Sequence, residues 1–386
     1  MNRFHIVTVL LLMFLNCSNS TNPPYREKAK TAIPATTSAL SKEQKLLASR
    51  LNDLFVQFNR SGIFNGSVLV ARSGKIIYQN ALGFSDKKNK SALTDSSMFQ
   101  LASVSKVITS TAVLMLHERE MLDINKTFKS YFPDFPYEGV TIKQLLNHRS
   151  GLPNYLYVLN HELYQPNYQM SNADMYNYLV SKNPKRYAKP DLRFDYSNTN
   201  YALLGLLVEK VSGKPYSDFL RNELFLPLGM KHTATIRDID INDPKTTKPY
   251  DLRWRQVSFD ASDYVVGDKS IYSTAYDLYL FSEALYNNRI IKPETQQMAY
   301  TPYSRVAGDR CYGLGWRIVN SNDPIKKEVY HNGWWHGYRT AFHRRLKDTL
   351  TVVILSNQLN HSAFHAARVM QIIDSNTLTA GEGYDD

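Results

Sequence analysis

The chain has 386 residues, 43% of them hydrophobic, and carries a formal charge of +11 from 46 Lys and Arg against 35 Asp and Glu. That composition is ordinary for a globular protein with a sizeable core, in one large domain or two interleaved ones. The basic balance would suit nucleic acid, an anionic polymer or an anionic membrane, but there is no Lys/Arg block of the nucleic-acid type. Lys87-Lys88-Asn89-Lys90 reads as a solvated turn, so no nucleic-acid partner is expected.

The N-terminus speaks to the compartment. Arg3 precedes an apolar run over residues 6–15, too short to span a bilayer and fitting the core of a signal peptide at residues 1–16. The run stops at Asn16-Cys17-Ser18. Cys17 resembles a bacterial lipoprotein cysteine and is expected to be lipidated, although Asn16 stands where such signals prefer a small residue. Simple secretion is the alternative. Residues 17–40 are polar with scattered prolines and are expected to be a flexible tether reaching roughly 25–30 Å. The expected location is the bacterial cell envelope, lipid-anchored or periplasmic. Cys311 is the one other cysteine, so the fold must rest on its core rather than on bridges.

The folded domain is expected over residues 41–386. Ser41 and Gln44 form a capping-box pattern, and Leu46, Leu47, Leu51, Leu54, Phe55 and Phe58 continue an amphipathic helix that Gly62 stops. The segment from Gly66 reads as two strands turning at Ser73-Gly74. Between about residues 100 and 300 the signals are mostly helical. Strands return in YGLGWRIV, VYHNGWWHGYRTAFHRRL and TLTVVILSN, and a last helix is predicted over 361–373. The simplest packing is a mixed α/β (α+β) fold. Its antiparallel sheet is built from both chain ends and flanked by the N- and C-terminal helices, with a large helical region inserted.

Within that region, LASVSKVITS at residues 101–110 places Ser103 and Ser105 just before Lys106. From Ser103 to about Leu116 nearly every face is apolar, which predicts a buried helix. A lysine there is costly unless paired or used. Residues three apart share a helical face and neighbours do not, so Ser103 rather than Ser105 is the partner of Lys106. Ser103 would also sit at the helix N-terminus, where free N–H groups and the dipole favour developing negative charge. The competing reading makes Ser103 a helix cap and Lys106 a snorkelling side chain. Ser-x-x-Lys is weak alone: Ser85 and Lys88 have the same spacing in a charged turn.

Two further stretches change the odds. Tyr196-Ser197-Asn198 stands immediately before an apolar helix, and His331-Asn332-Gly333 lies on a predicted late strand. With Ser103-x-x-Lys106 these follow the order of the three motifs of serine penicillin-recognising enzymes. The chain resembles the serine β-lactamase/penicillin-binding-protein-like family. Tyr-Ser-Asn points to the class C β-lactamase branch, with its DD-carboxypeptidase, D-aminopeptidase and esterase relatives. TIKQLLNHRSGLPNY, LFLPLGMKHT, STAYDLYLFSEAL and YGLGW are similar to family segments in family order.

The resemblance implies a β-lactamase/DD-peptidase-like fold and acyl transfer through a serine ester. Ser103 would attack a carbonyl, with Lys106 easing its deprotonation. Tyr196 would shuttle the proton. A tyrosine with the ordinary pKa of about 10 needs nearby cations for that, here Lys106 and a protonated His331. Asn198 would orient Lys106 and the substrate amide. The backbone N–H groups of Ser103 and Trp334 would form the oxyanion hole, and Gly333 would let substrate approach the strand. Histidine in the third motif, where β-lactamases carry lysine, resembles DD-carboxypeptidases and D-aminopeptidases. It would make recognition of a substrate carboxylate weaker or pH-dependent. Asn332 stands where a hydroxyl residue usually helps to bind that carboxylate. Both departures tilt the reading from a dedicated β-lactamase toward a peptidase, amidase or esterase.

His148 is expected to be structural. Trp334 and Trp335 either line the pocket or pack an edge strand. His336 and His343 lack a ligand pattern, so no metal and no cofactor is expected, and there is no Gly-x-Ser-x-Gly elbow, P-loop or His-Glu-x-x-His motif. Three functions follow: a serine hydrolase of D-amino-acid peptides, amides or esters, acting on a small-molecule, peptide or peptidoglycan-derived substrate; a β-lactamase; or a catalytically silent envelope lipoprotein.

Overall fold

A computed structural model of the protein describes residues 39–158, 168–319, 323 and 327–378. The expected signal peptide, Cys17 and nearly all of the expected tether lie outside the described residues. The first helix, α1 (Lys42–Arg60), begins at the predicted capping box: the Ser41 side chain accepts from the Gln44 N–H, and the Gln44 side chain accepts from the Ser41 N–H. It buries Leu47, Leu51 and Phe55. Strands β1 (Gly66–Arg72) and β2 (Lys75–Leu82) form the predicted hairpin, with Ser73 and Gly74 both at positive φ (51° and 72°). Two left-handed residues give the turn the hand that matches strand twist.

The inserted region contains three helices that matter for the site. They are α2 (Ser105–Glu118), α3 (Asn198–Ser212) and α4 (Ala275–Tyr286). The chain then returns as β3 (Ser304–Ala307), β4 (Arg310–Tyr312), β5 (Arg317–Val319), β6 (Glu328–Trp335), β7 (Tyr338–Arg345) and β8 (Leu350–Ser356), and α5 (Ser362–Leu378) follows. The strands make one antiparallel sheet in the order β2-β1-β8-β7-β6-β5-β4-β3. The sheet is thus closed by pairing the N-terminal β1 with the C-terminal β8, Gly66 opposite Ser356 and Ala71 opposite Thr351.

Alternation along the central strands explains their continuous apolar sequences. Leu69 and Ala71 of β1 and Val353 and Leu355 of β8 face a large core shared with α2, α3 and α4. Val68, Val70, Val352 and Ile354 face a second core under α1 and α5. A sheet covered on both faces needs no polar alternation. YGLGWRIV departs from the single predicted strand: it folds as the end of β4, a turn, and β5. The cause is close packing at Gly315, where φ is 82° and a Cβ would fall 2.5 Å from Ser110 Cβ. Cys311 is a free, buried thiol. Among the described residues no helix is long and apolar enough to cross a membrane.

Candidate active site

Ser103 lies in a single 3₁₀ turn (Ala102–Val104) that leads into α2. All residues from Ser105 to Leu116 are buried. Lys106 is fully buried, and its three N–H donors each have an acceptor: Ser103 Oγ at 3.2 Å, Asn198 Oδ1 at 2.8 Å and the Asp268 carbonyl at 2.7 Å. That saturation is what permits an ammonium group in the core. The Tyr196 hydroxyl donates to Ser103 Oγ at 2.9 Å. Two side chains from distant segments, Lys106 and Tyr196, therefore converge on the Ser103 hydroxyl, and Asn198 reaches it through Lys106.

Ser105 points elsewhere. Its Oγ donates to the Lys269 carbonyl at 2.7 Å and accepts from the Ile271 N–H at 3.2 Å. The helix turns by about 100° per residue, so the adjacent serine cannot share the Lys106 face. Ser85 is buried in the first short strand after the hairpin and donates to the carbonyls of Ser91 and Ala92.

The backbone before the nucleophile candidate is held tightly. Ala102 has φ +48°, a left-handed conformation that costs a non-glycine residue on the order of 1–2 kcal/mol. β6 packs directly against this turn. A Cβ on Gly333 would fall 2.4 Å from the Leu101 carbonyl oxygen and 2.2 Å from Thr340 Oγ1. Glycine here admits the Leu101–Ala102 backbone, and Gly333 also lines the cleft.

The other third-motif residues differ from expectation. His331 is fully buried below the pocket, with Nε2 3.2 Å from the Tyr312 hydroxyl and Nδ1 2.8 Å from the Asn332 carbonyl. Burial, then the charges of Arg317 and Lys106, push its pKa well below the usual histidine value. It is neutral at pH 7, so it supplies neither a cation for Tyr196 nor a charge for substrate. The Asn332 amide oxygen is taken by His343 Nε2 at 3.0 Å. Asn332 and Trp334 do line the pocket, with Trp334 63% exposed. Trp335 also lines it, and its indole N–H donates to Asp263.

His148 supports the site from below. It is fully buried, and its ring lies 4.2 Å from that of Tyr196, centroid to centroid. Its Nδ1 accepts from the Ser197 N–H at 3.3 Å and faces Asn200 Nδ2 at 3.0 Å, so Nε2 carries the proton. Burial and then the Lys106 charge push its pKa well down.

Above these residues opens a cleft of about 730 Å³ with Ser103, Tyr196 and Asn198 at its foot. Arg317 of β5 and Arg339 of β7 are on its wall, and Leu156, Tyr157 and Leu359 give it an apolar rim. The volume suits a drug-sized or dipeptide-sized ligand. Near the cleft, Asp260, Asp263 and His336 bring possible ligand atoms within 4.8 Å of one another. Their polar atoms already serve each other and their neighbours. His336 pairs with Asp260 at 3.4 Å, and Asp263 accepts from the Asp260 N–H and from Trp335. Burial pulls the His336 pKa down, but the Asp260 hydrogen bond and the Asp263 charge raise it net.

Sequence reasoning missed Asp268 and both arginines. Asp268 acts through its carbonyl, which leaves no side-chain signature. Arg317 had one signal, a guanidinium directly after the aromatic run ending at Trp316.

With the geometry in place, comparison with known proteins decides the family. The family model described as Beta-lactamase matches residues 51–375. The chain belongs to the β-lactamase family. It is accordingly a β-lactamase-related serine hydrolase, as its Ser-Lys-Tyr-Asn cluster indicates. Penicillin-binding protein 4* of Bacillus subtilis (strain 168) is 32% identical over 342 residues, covering 82% of this chain and 73% of that protein. The putative penicillin-binding protein PbpX of the same organism is 25% identical over 93% of this chain and 88% of its own length. The D-amino acid amidase of Ochrobactrum anthropi SV3, solved with L-phenylalanine amide, shares the fold with a TM-score of 0.71 at 22% identity, over 87% of this chain and 100% of that one. FmtA from Staphylococcus aureus does so with a TM-score of 0.69 at 21% identity, over 91% of this chain and 98% of that one.

Proposed function

We propose that this family member hydrolyses D-amino-acid peptides, amides or esters through a covalent acyl-enzyme on Ser103. One observation carries the reading: Ser103 Oγ lies within hydrogen-bond distance of both the Lys106 ammonium and the Tyr196 hydroxyl. In the reactive form the Lys106–Tyr196 pair has first given up one proton to solvent; Oγ then bonds to the substrate carbonyl carbon and passes its own proton to the Tyr196 oxygen. The tetrahedral oxyanion is held by the N–H groups of Ser103 and Trp334. Collapse expels the leaving group, which takes its proton from Tyr196. Water then attacks the Ser103 ester by the reverse proton route. Asn198, through its bond to Lys106, keeps the ammonium aimed at Oγ. The buried, neutral His331 and the engaged Asn332 favour this reading over a dedicated β-lactamase, whose third motif presents a cation to the substrate.

We also propose that the protein is held at the bacterial cell envelope by lipid on Cys17. The support is the short apolar run that ends at that cysteine.

A panel of a chromogenic cephalosporin, p-nitrophenyl esters and D-alanyl-D-alanine peptides tests the catalytic reading, with mass spectrometry for an adduct on Ser103. Turnover of D-amino-acid substrates with that adduct supports it. Faster cephalosporin turnover would favour a β-lactamase, and absence of any Ser103 adduct would overturn the reading.

A further inference from the structure

The proposed reaction leaves one buried ion pair unused. The side chains of Lys269 and Asp268 are 3% and 0% exposed, with Lys269 Nζ 3.2 Å from Asp268 Oδ2. The Tyr155 hydroxyl donates to the same oxygen at 2.9 Å and accepts from Lys269 Nζ. Burial, then the Asp268 charge, push the Tyr155 pKa well above the ordinary phenol value, so the hydroxyl keeps the proton it donates. Asp268 Oδ1 is buried and, among the described residues, has no hydrogen-bond partner. Taking an ion pair out of water costs desolvation that its own attraction need not offset, so stability is a weak reason for this trio.

Its place in the fold supplies another reason. Residues 267–270 belong to no helix or strand, yet the Asp268 carbonyl is one of the three acceptors of the Lys106 ammonium. The next carbonyl, of Lys269, accepts from Ser105 Oγ, so this irregular segment is fastened to the start of α2 at two points. Tyr155 reaches the other segment that holds Lys106. Its backbone N–H donates to Thr199 Oγ1 at 2.8 Å, and Thr199 follows Asn198, whose Oδ1 also accepts from Lys106. Tyr155 therefore ties together the two segments that supply the lysine's acceptors besides Ser103. Its neighbours Asn154, Leu156 and Tyr157 line the cleft, so the tie runs from the cleft wall to the lysine.

We propose that Tyr155 and the Asp268 carboxylate are positioning residues for Lys106. Their hydrogen bond fixes the segment carrying the Asp268 carbonyl against the start of α3, which carries Asn198. Lys269 is the counter-charge that allows the carboxylate to be buried. The inference rests on the Ser103 acyl-enzyme reading, in which Lys106 must stay aimed at Oγ. It adds to the acylation machinery three residues from outside the three motifs, none of which touches the reacting atoms.

The test is the saturation kinetics of Ser103 labelling by a fluorophosphonate, which separates the limiting rate from the half-saturating concentration. A melting curve accompanies each variant. Tyr155→Phe keeps the ring and breaks the tie. Its limiting rate should fall by roughly 10-fold, because small misplacements of a catalytic group are costly, with the half-saturating concentration little changed. Tyr155→Phe/Asp268→Leu/Lys269→Met replaces the trio by apolar groups of similar size, a kind of change that is often neutral for stability. Its limiting rate should fall by roughly 10- to 100-fold at a near wild-type melting temperature. Asp268→Asn/Lys269→Met removes both charges but leaves Tyr155 an acceptor, and should restore most of the rate. Either the Tyr155→Phe or the triple variant, folded and labelled at the wild-type limiting rate, would overturn the inference alone. Equal losses in the triple and the Asp268→Asn/Lys269→Met variants would also overturn it, by placing the effect on charge rather than on the tie. If the triple variant does not fold, Tyr155→Phe, which loses a single hydroxyl, decides. A wild type that is not labelled at Ser103 would overturn both the inference and the reading beneath it.

Discussion

The hydroxyl of Tyr196 sits 2.9 Å from Oγ of Ser103, the two residues lying 93 positions apart in the chain. Tyr196→Phe keeps the ring that packs on His148 and removes only that contact. Turnover should fall by roughly 10²–10⁴, the usual contribution of a positioned proton donor or acceptor, with the thermal midpoint close to wild type. Steady-state kinetics on any substrate the wild type turns over, alongside a melting curve, gives the answer. Near wild-type turnover would remove Tyr196 from the mechanism.

The two serines at the start of α2, Ser103 in the preceding turn and Ser105 in the helix, should behave in opposite ways. Ser103→Ala should abolish labelling by a serine-directed probe in a folded protein. Ser105→Ala should keep labelling but lose the bonds to Lys269 and Ile271, which costs about 1–3 kcal/mol through the unpaired groups left behind. Peptide mapping of the adduct and urea denaturation separate these outcomes. An adduct on Ser105 would reverse the assignment.

Buried neutral His331 has a consequence for stability against pH. Its folded pKa lies well below about 6.5, the value expected in the unfolded chain. Below pH 6.5 the unfolded state therefore binds the proton that the folded state refuses. This contribution is complete above pH 6.5 and is lost progressively as pH falls toward the folded pKa, at up to about 1.4 kcal/mol per pH unit. His331→Gln should flatten the decline between pH 6.5 and 5 by up to that amount. His148 titrates in the same sense and His336 in the opposite one, and comparison of the variant with wild type cancels both. Denaturation curves at four or five pH values suffice. Identical slopes would mean that His331 is not held neutral.

Gly333→Ala tests the packing of β6 on the nucleophile turn. The added methyl would meet Leu101 O and Thr340 Oγ1 at 2.4 and 2.2 Å, far inside contact distance. Forced separation of this kind costs about 1–3 kcal/mol, and here it shifts the backbone carrying Ser103. Both the melting temperature and kcat should drop. A variant with unchanged kcat would show that the turn tolerates displacement.

Cys17→Ala should release the protein from the membrane fraction of its host, if the mature wild-type chain begins at a lipidated Cys17. Fractionation together with the intact mass of the mature protein decides this. A wild-type chain starting elsewhere, with no lipid mass, would refute the anchor.

What the sequence disclosed about the site divides along a physical line. Ser103 and Lys106 were readable because helical geometry alone brings i and i+3 together, and an apolar surround made the lysine conspicuous. Tyr196 and Asn198 were readable because they open a second apolar helix. The burial of His331 was not readable, since depth below a strand depends on what packs over it, here Tyr312 from β4. The same limit hid Arg317: its place over Tyr196 comes from β5 reaching a residue 121 positions earlier in the chain. For Gly333 the close approach of the Leu101–Ala102 backbone was not readable, because that backbone lies more than 200 positions away. That the sheet is assembled from both chain ends followed from the apolar runs there, whereas the strand order and the break in YGLGWRIV, which required the position of Ser110, did not.

The pairing of β1 with β8 also sets an order of events. A nascent chain holds its nucleophile segment early, yet the turn around Ser103 acquires its backing only when β6 and β7 arrive, the Thr340 hydroxyl bonding the Leu101 carbonyl at 2.7 Å. Contacts at such sequence separation carry a large loop-closure cost and make folding slow. The chain through β7 must leave the ribosome before the proposed hydrolytic site can form, so a chain interrupted before residue 328 should be inert however well its helices form. Under the proposed function, synthesis itself acts as a timer that withholds the Ser103 site until β6 and β7 have been made.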